Sequence, residues 1–281
     1  PSSMSHHGTV VVGYGVPPGG GRVATRWTAT TGAVNLGALP NHLGFPDAYL
    51  SSVSADGSVA TGNSFASDGV HPLFWSNASG LTGLGDVPGG EFYALGFDIS
   101  ANGKVIVGNA RTSFPSAPDE AFLWRQGSGF ELLDPHHGQF FGSTLYGVSG
   151  DGSVAVGYSG SVNGGAMVWT TFHGMRSIRD ILTVEHGLDL AGWQLGAAWD
   201  VSRDGTTMVG TGVNPQGNTE GWLALIPRGR LAHPWDASRQ SGDRFGTSTV
   251  PEPIAGMSAV TVLLMAQLGT MRRGLIKWFG P

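Results

Sequence analysis

Three groups of side chains have residue types that could do chemistry. The acids Asp86, Glu91, Asp119, Glu120 and Asp134, with Glu185 further on, fall on segments between apolar runs. Two carboxylates facing each other across a groove are what glycoside hydrolysis needs, one as acid and the other as base or nucleophile. His136-His137, with His42, His71 and His186, supplies imidazoles that would hold a metal if they converged. Asp98-Ile-Ser-Ala-Asn102-Gly103 and Asp200-Val-Ser-Arg-Asp204-Gly205 space their oxygens like half of a calcium loop, without the distal bidentate Glu. Each group has a plainer reading. Scattered acids are usually solvated surface, and Asp-Gly and Asn-Gly are turn formers.

No catalytic constellation stands out, so no catalytic residue, metal ligand or cofactor is expected, and Ca2+ is the one candidate ion. Asp86, Glu91, Asp119, Glu120, Asp134, His136 and His137 are kept as a candidate ligand-binding face. The chain has no cysteine, which removes disulfides, thiolate chemistry and Cys-ligated zinc. Its net charge is −5 with no basic stripe, which argues against nucleic acid as a partner. The sequence starts at Pro1, and the expectation is that an N-terminal piece such as a signal peptide is not part of it.

The elements that must position these residues are legible in a repeat. Glycine makes up 47 of 281 residues and charged residues only 12%, so tight turns are many and charged helix faces few. The phrase G-x-V-x-V-G recurs with variations as Gly8-Thr-Val-Val-Val-Gly13, Gly57-Ser-Val-Ala-Thr-Gly62, Gly103-Lys-Val-Ile-Val-Gly108, Gly152-Ser-Val-Ala-Val-Gly157 and Gly205-Thr-Thr-Met-Val-Gly210. Each is followed by one tryptophan, Trp27, Trp75, Trp124, Trp169 or Trp222, at spacings of 48, 49, 45 and 53 residues.

The clearest unit divides into four short strands, Lys104–Asn109, Ala121–Arg125, Phe130–Leu133 and Thr144–Ser149, rich in β-branched and aromatic residues and bounded by Gly or Asp. The one helix candidate inside the repeats is Ile178–Leu190. Four strands per 40–50 residues predicts an all-β fold, a β-propeller of about five blades or part of a larger one. The repeated Trp is read as packing between blades, with a stacking platform for sugar rings as the alternative.

Asp56-Gly57, Asn102-Gly103, Asp151-Gly152 and Asp204-Gly205 predict two-residue turns from strand four into the next strand one, with positive φ at both central positions. These turns share one face of the propeller with the short connections between strands two and three. The opposite face carries the long, unlike loops Ser64–Val70, Asp86–Phe92, Ala110–Asp119 and Asp134–Gly142. Function is expected there, since loops on a repeated scaffold are free to vary. The fifth unit stops near Ile226, so ring closure is not predicted.

The units resemble the HAF repeats of bacterial extracellular proteins, on Ala121-Phe-Leu-Trp124 followed by Val148-Ser-Gly-Asp-Gly152, with Pro72-Leu-Phe-Trp75 and Ala166-Met-Val-Trp169 keeping the Trp but not the Ala-Phe pair. The C-terminus resembles a PEP-CTERM sorting signal: Val250, Pro251, Glu252 and Pro253, an uncharged span Ile254–Thr270, then Arg272 and Arg273. Ser258, Thr261 and Gln267 inside the span, and the eight residues after the arginines, depart from that pattern.

The resemblance implies an exosortase-type sorting protease as partner, cleavage near Pro-Glu-Pro and transient anchoring in the inner membrane. Seventeen uncharged residues are at the short limit of a membrane helix, and the arginine pair would stay cytoplasmic. The expected organisation is a repeat domain over 1–228, a linker over 229–249 and a sorting tail over 250–281 carrying a single hydrophobic helix. The expected function is that of an exported, non-enzymatic surface or matrix protein binding polysaccharide or protein, with a carbohydrate-active propeller enzyme as the alternative.

Overall fold

The computed structural model describes residues 1–42, 44–90, 92–112, 118–133, 142–160, 164–231 and the backbone of 261–265. Five antiparallel sheets follow one another along the chain. The first holds β1 (Ser3–Met4), β2 (Val10–Gly15), β3 (Val23–Thr28) and β4 (Gly32–Gly37). The second holds β5 (Ala48–Val53), β6 (Val59–Ala66), β7 (Gly69–Ser76) and β8 (Gly80–Gly83). The third holds β9 (Ala94–Ile99), β10 (Val105–Ala110), β11 (Glu120–Arg125) and β12 (Gly129–Leu133). The fourth holds β13 (Ser143–Val148), β14 (Val154–Ser159), β15 (Gly165–Thr170) and β16 (Gly174–Ser177). The fifth holds β17 (Gln194–Val201), β18 (Thr207–Val213), β19 (Thr219–Leu225) and β20 (Thr261–Met265). In each sheet the strands pair in chain order, and the first strands of successive sheets touch. The sheets are therefore blades, with β1, β5, β9, β13 and β17 on the inside, and the fold is a β-propeller.

The phase of the repeat differs from the sequence reading by one strand. The Asp-Gly and Asn-Gly turns do not lead from one blade to the next. They join the first and second strands of one blade, which pair with each other. The segment Thr144–Ser149, read as the end of the third unit, falls on the inner strand of the fourth blade and the turn that follows it. The turns are also longer than two residues. Ser54 donates its N–H to the Val59 carbonyl at 2.9 Å, and among the turn residues only the glycine has positive φ, as Gly57 does at 74°. The Ser54 hydroxyl accepts from the Val59 N–H at 3.1 Å and donates to Asp56, whose carboxylate accepts from the Ser58 N–H at 3.0 Å. Side chains replace the backbone bonds that a two-residue turn would make.

The glycines and valines of the phrase have physical roles, clearest between the third and fourth blades. A Cβ on Gly152 would lie 2.4 Å from a Val105 methyl of the preceding blade. The valines Val105 and Val107 are buried toward the next blade with Leu123, and Trp169 of that next blade packs on them. A Cβ on the closing Gly157 would lie 1.9 Å from the Thr144 carbonyl of its own inner strand. That strand bulges here, with a register shift between Leu145 and Gly147, and only glycine leaves room for it.

The core is divided among the blade interfaces. Four buried clusters join blades one and two, two and three, three and four, and four and five. From the second blade on, the Trp points at the preceding blade: Arg26 lies 5.3 Å above the Trp75 ring, Phe74 packs at 5.6 Å on Trp124, and Arg125 lies 5.4 Å above Trp169. Trp222 sits two residues out of line, opposite Gly210, whereas Trp27, Trp75, Trp124 and Trp169 sit opposite the middle residue of the phrase. It still faces inward, because a shift of two keeps a strand residue on the same side.

The helix candidate is present as Ile178–Asp180 followed by a π-type turn over Ile181–Glu185, with Ile178, Ile181 and Leu182 buried in the last cluster. A short helix Arg228–Leu231 opens the segment read as a linker, and Arg228 donates to Asp151 at 2.7 Å and to the Asp204 carbonyl. Among the described residues no helix is long and apolar enough to cross a membrane. Within the span expected to be helical, the described residues Thr261–Met265 are a strand paired with β19, from Leu225 opposite Thr261 to Gly221 opposite Met265. This corrects the helix at those five residues. β19 would otherwise end the sheet with an unpaired edge, and the uncharged segment Thr261–Met265 satisfies its backbone groups. Val250, Pro251, Glu252, Pro253, Arg272 and Arg273 lie outside the described residues.

Candidate binding surface

Of the seven residues of the candidate ligand face, Asp86, Asp119 and Glu120 are described, and their carboxylates serve the loops that carry them. Asp86 accepts the Val87 and Phe92 N–H groups at 2.8 and 2.7 Å. Asp119 accepts from Asn109 at 3.1 Å and faces Arg111 at 3.4 Å, and Glu120 accepts the Thr112 hydroxyl at 2.8 Å. Glu91, Asp134, His136 and His137 lie outside the described residues. His71 is buried on β7 against Asp68, 2.8 Å away. No group of three or more metal-ligating side chains converges among the described residues. The loop Ser64–Val70 is a hairpin turn between β6 and β7 rather than a long loop, and Val70 is reached by the following loop in a bridge to Tyr93.

A feature that the sequence reading missed lies on the inner strands. In blades two to five the inner strand carries a bulged residue at the matching position, Ser51, Phe97, Tyr146 or Trp199, and the strand of blade five has a second bulge at Gly196. Three of the four are aromatic and they meet in series. The Phe97 and Tyr146 ring centroids are 5.7 Å apart, and those of Tyr146 and Trp199 are 4.7 Å apart with an interplanar angle of 42°. Such tilted contacts lie within the favourable range for aromatic pairs. Phe97 and Tyr146 are half-buried, and Trp199 is 47% exposed while its indole N–H is held by Thr211 at 2.9 Å. The result is a ridge of rings crossing three blades, fixed at one end by a hydrogen bond.

The acids read as half of a calcium loop sit beside this ridge. Asp98 accepts the Ser52 hydroxyl at 2.6 Å from the preceding blade, the Ile99 N–H at 2.8 Å from its own, and the Val148 N–H at 2.9 Å from the next. One carboxylate thus joins three blades. Desolvation is the main influence on it and pushes it up to about 6, with a smaller contribution from Asp200. Asp200 holds the same place in blade five, where its carboxylate accepts from Val201 at 2.7 Å. Gly147 holds it in blade four, and a Cβ there would lie 2.9 Å from the Asp200 Cα. The partner residues of each half loop are turn caps: Asp204 accepts from Ser202 and Thr206, and Asn102 from Ser100 and Lys104. The Ser202 and Thr206 bonds hold the Asp204 carboxylate below its ordinary range.

The two ends of the blade series are also distinctive. Trp169 is 4% exposed, whereas Trp27, at the same position in the first blade, is 42% exposed. Val107 is fully buried, whereas Val209, its counterpart in the fifth blade, is 38% exposed. Val209 pairs with Leu223 as Val107 pairs with Leu123. Gly8, the counterpart of Gly152, has only the Met4 sulfur near it, at 3.9 Å.

No protein-family model matches the sequence, and no curated protein matches it. Among solved structures, the chain is similar to an oligogalacturonate lyase from Vibrio parahaemolyticus, with 13% identity, 82% of this chain and 62% of that chain covered, and a TM-score of 0.52. It is also similar to TolB from Acinetobacter baumannii, with 18% identity, 60% of this chain covered and a TM-score of 0.43. The chain spans 40% of that TolB's length. What the chain has in common with the lyase is the propeller fold.

Proposed function

We propose that this chain is an exported, non-enzymatic repeat protein of the cell surface or matrix, and that it holds polysaccharide on the ridge Phe97–Tyr146–Trp199. The ridge carries the reading. Aromatic faces presented in series by a rigid scaffold suit the apolar faces of successive sugar rings, and the exposed Trp199 is the entry point. Export and sorting by an exosortase-type protease rest on the resemblance of the tail from Val250 to Arg273 and are part of this proposal. Loops on the long-loop face would then tune which polymer is held.

The rival, a carbohydrate-active enzyme, would draw on Asp98 and Asp200. Both Asp98 oxygens are occupied by protein donors, which favours a joining role for this acid over proton transfer to a ligand. Oligogalacturonate is a sensible first probe, because the lyase of similar fold is named for it.

The test is incubation of the protein with a panel of bacterial and algal polysaccharides. Retention without released sugar is expected, with Trp199→Ala weakening it at least about tenfold, as loss of an exposed aromatic anchor does. Released unsaturated or reducing sugar, lost in Asp98→Asn, would establish the enzyme instead.

A further inference from the structure

Two guanidinium groups lie on tyrosine rings where inner strands begin on the long-loop face. Arg22, between β2 and β3, lies 5.3 Å above the Tyr49 ring and 6.0 Å above that of Tyr14. Arg111, just after β10, lies 4.5 Å above Tyr93. Tyr49 is the second residue of β5, and Tyr93 immediately precedes β9. The backbone of Arg22 is pinned to the second blade: its N–H donates to the Pro46 carbonyl at 2.8 Å, and its carbonyl accepts from the Ala48 N–H at 3.0 Å. Glycine at 21 permits that approach, since a Cβ there would lie 2.3 Å from the Pro46 carbonyl oxygen. The side chain is fixed as well, with Nε donating to Asp47 at 2.7 Å. Among the described residues no other group accepts from this guanidinium, and the side chain is 42% exposed. Its Nη1–Nη2 edge is thus a fixed and unoccupied fork. Arg111 is held more loosely, with Asp119 3.4 Å from Nε.

The Arg22 stack is joined to the aromatic ridge. Asn63 donates to the Tyr49 hydroxyl at 3.0 Å and to the Gly96 carbonyl at 3.1 Å, and it accepts the Gly96 N–H at 2.8 Å. Gly96 precedes Phe97, the first ring of the ridge. A polymer laid along Trp199, Tyr146 and Phe97 therefore leaves the ridge beside a cationic fork. The end of a guanidinium matches a planar carboxylate with two parallel charge-assisted hydrogen bonds, and a fork already fixed in place loses little entropy on making them. We propose that the polysaccharide of the ridge is a uronate, and that Arg22, with Arg111 on the third blade, reads its carboxylates. This rests on the reading of the ridge as a glycan site.

Retention of the full chain on polygalacturonate and on alginate, each against its neutral ester, tests this. The acid form should be held about tenfold more tightly, as one or two charge-assisted hydrogen bonds would give. Raising NaCl from about 20 to 200 mM should narrow the gap, because exposed charges are screened. Arg22→Gln and Arg111→Gln should each weaken retention of the acid form and leave the ester unchanged. Arg22→Lys should recover only part of the loss, since an ammonium is a point charge and not a fork. Trp199→Ala should weaken acid and ester alike. Equal retention of acid and ester, or retention of neutral polymers alone, would overturn the uronate and leave the ridge standing. Both Gln variants binding the acid form like wild type would do the same. Retention of no polysaccharide at all would overturn the ridge reading and this one with it. The comparison of acid with ester uses the unaltered protein, so it decides the matter even if Arg22→Gln loosens the joint with Asp47, which a thermal melt of each variant reports.

Discussion

Trp27 and Trp169 are the same residue of the same repeat, one half-exposed on an end blade and one buried between two blades. Nothing in their own strands sets them apart: Trp27 sits opposite Val11 and Trp169 opposite Ala155, the same position of the phrase. The difference lies wholly in the neighbour. In a fold of this kind, burial belongs to the interface between units, and a blade is stable only to the extent that its neighbours cover it. The identical sequence signal therefore predicts structure well and stability poorly.

The comparison can be broken most directly by truncation. Trp169→Ala should cost about 3–5 kcal/mol, the usual range for a large aromatic lost from a core. Trp27→Ala should stay within about 0.5 kcal/mol for the monomer, as surface changes do. Urea unfolding of both variants measures this, and equal losses would refute the interface account.

The acid of the third blade sharpens the comparison through pH. Asp98 is pushed up to about 6 from an ordinary value of 3.8, so the folded state takes up a proton that the unfolded chain has released. Stability should then fall as pH rises through that window, by roughly 3 kcal/mol in all. The carboxylates of Asp56, Asp151 and Asp204 are held below their ordinary range, chiefly by hydrogen bonds from Ser54, Arg228 and Ser202 respectively, and act in the opposite sense: their contribution is present above about pH 4 and is lost as pH falls below it. Asp98→Asn should flatten the slope between pH 4 and 6. Asp200→Asn should leave most of it, since desolvation and not Asp200 is the leading cause. Midpoints of urea unfolding across that range distinguish the two.

A third pair of variants separates turn strain from packing. Gly8 and Gly152 both have positive φ, at 68° and 76°. Replacement by Ala strains both turns by about 1–2 kcal/mol. Only Gly152→Ala also drives a methyl into Val105, which adds roughly 1–3 kcal/mol of overpacking. A thermal melt should show the larger drop for Gly152→Ala; equal drops would mean that the turn alone sets the cost.

Much of the fold was readable because the phrase and the Trp each recur with little drift, and because alternation of Val with small residues reports a strand buried on both sides. The phase was not readable: Asp-Gly marks a turn between two strands without saying whether they share a sheet, and only the pairing settles it. The surface was harder still. Ser51, Phe97, Tyr146 and Trp199 share a bulge but no residue type, and a bulge arises from the register of two strands rather than from either one. Asp98 and Asp200 were noticed for oxygen spacing, although Asp98 instead gathers donors from three blades, a contact fixed by sequence separations of 46 and 50 residues. Asp86, Asp119 and Glu120 looked available as acids, and local donors take them up.

The fifth sheet is closed by a strand that reaches it after 35 intervening residues, 226–260, whereas β12 follows β11 across the short turn Gln126–Ser128. Bringing a strand back across a longer connection carries a greater entropic cost, which grows with the logarithm of its length. β20 should therefore be the last strand to join during folding and the first to leave. The amide protons of β19 that point toward β20 would exchange with solvent through that local opening, while their counterparts in β11 would wait for a larger unfolding event. A graded pattern of exchange, fastest in the fifth blade and slowest in the third, would be the kinetic imprint of a sheet completed from a distance.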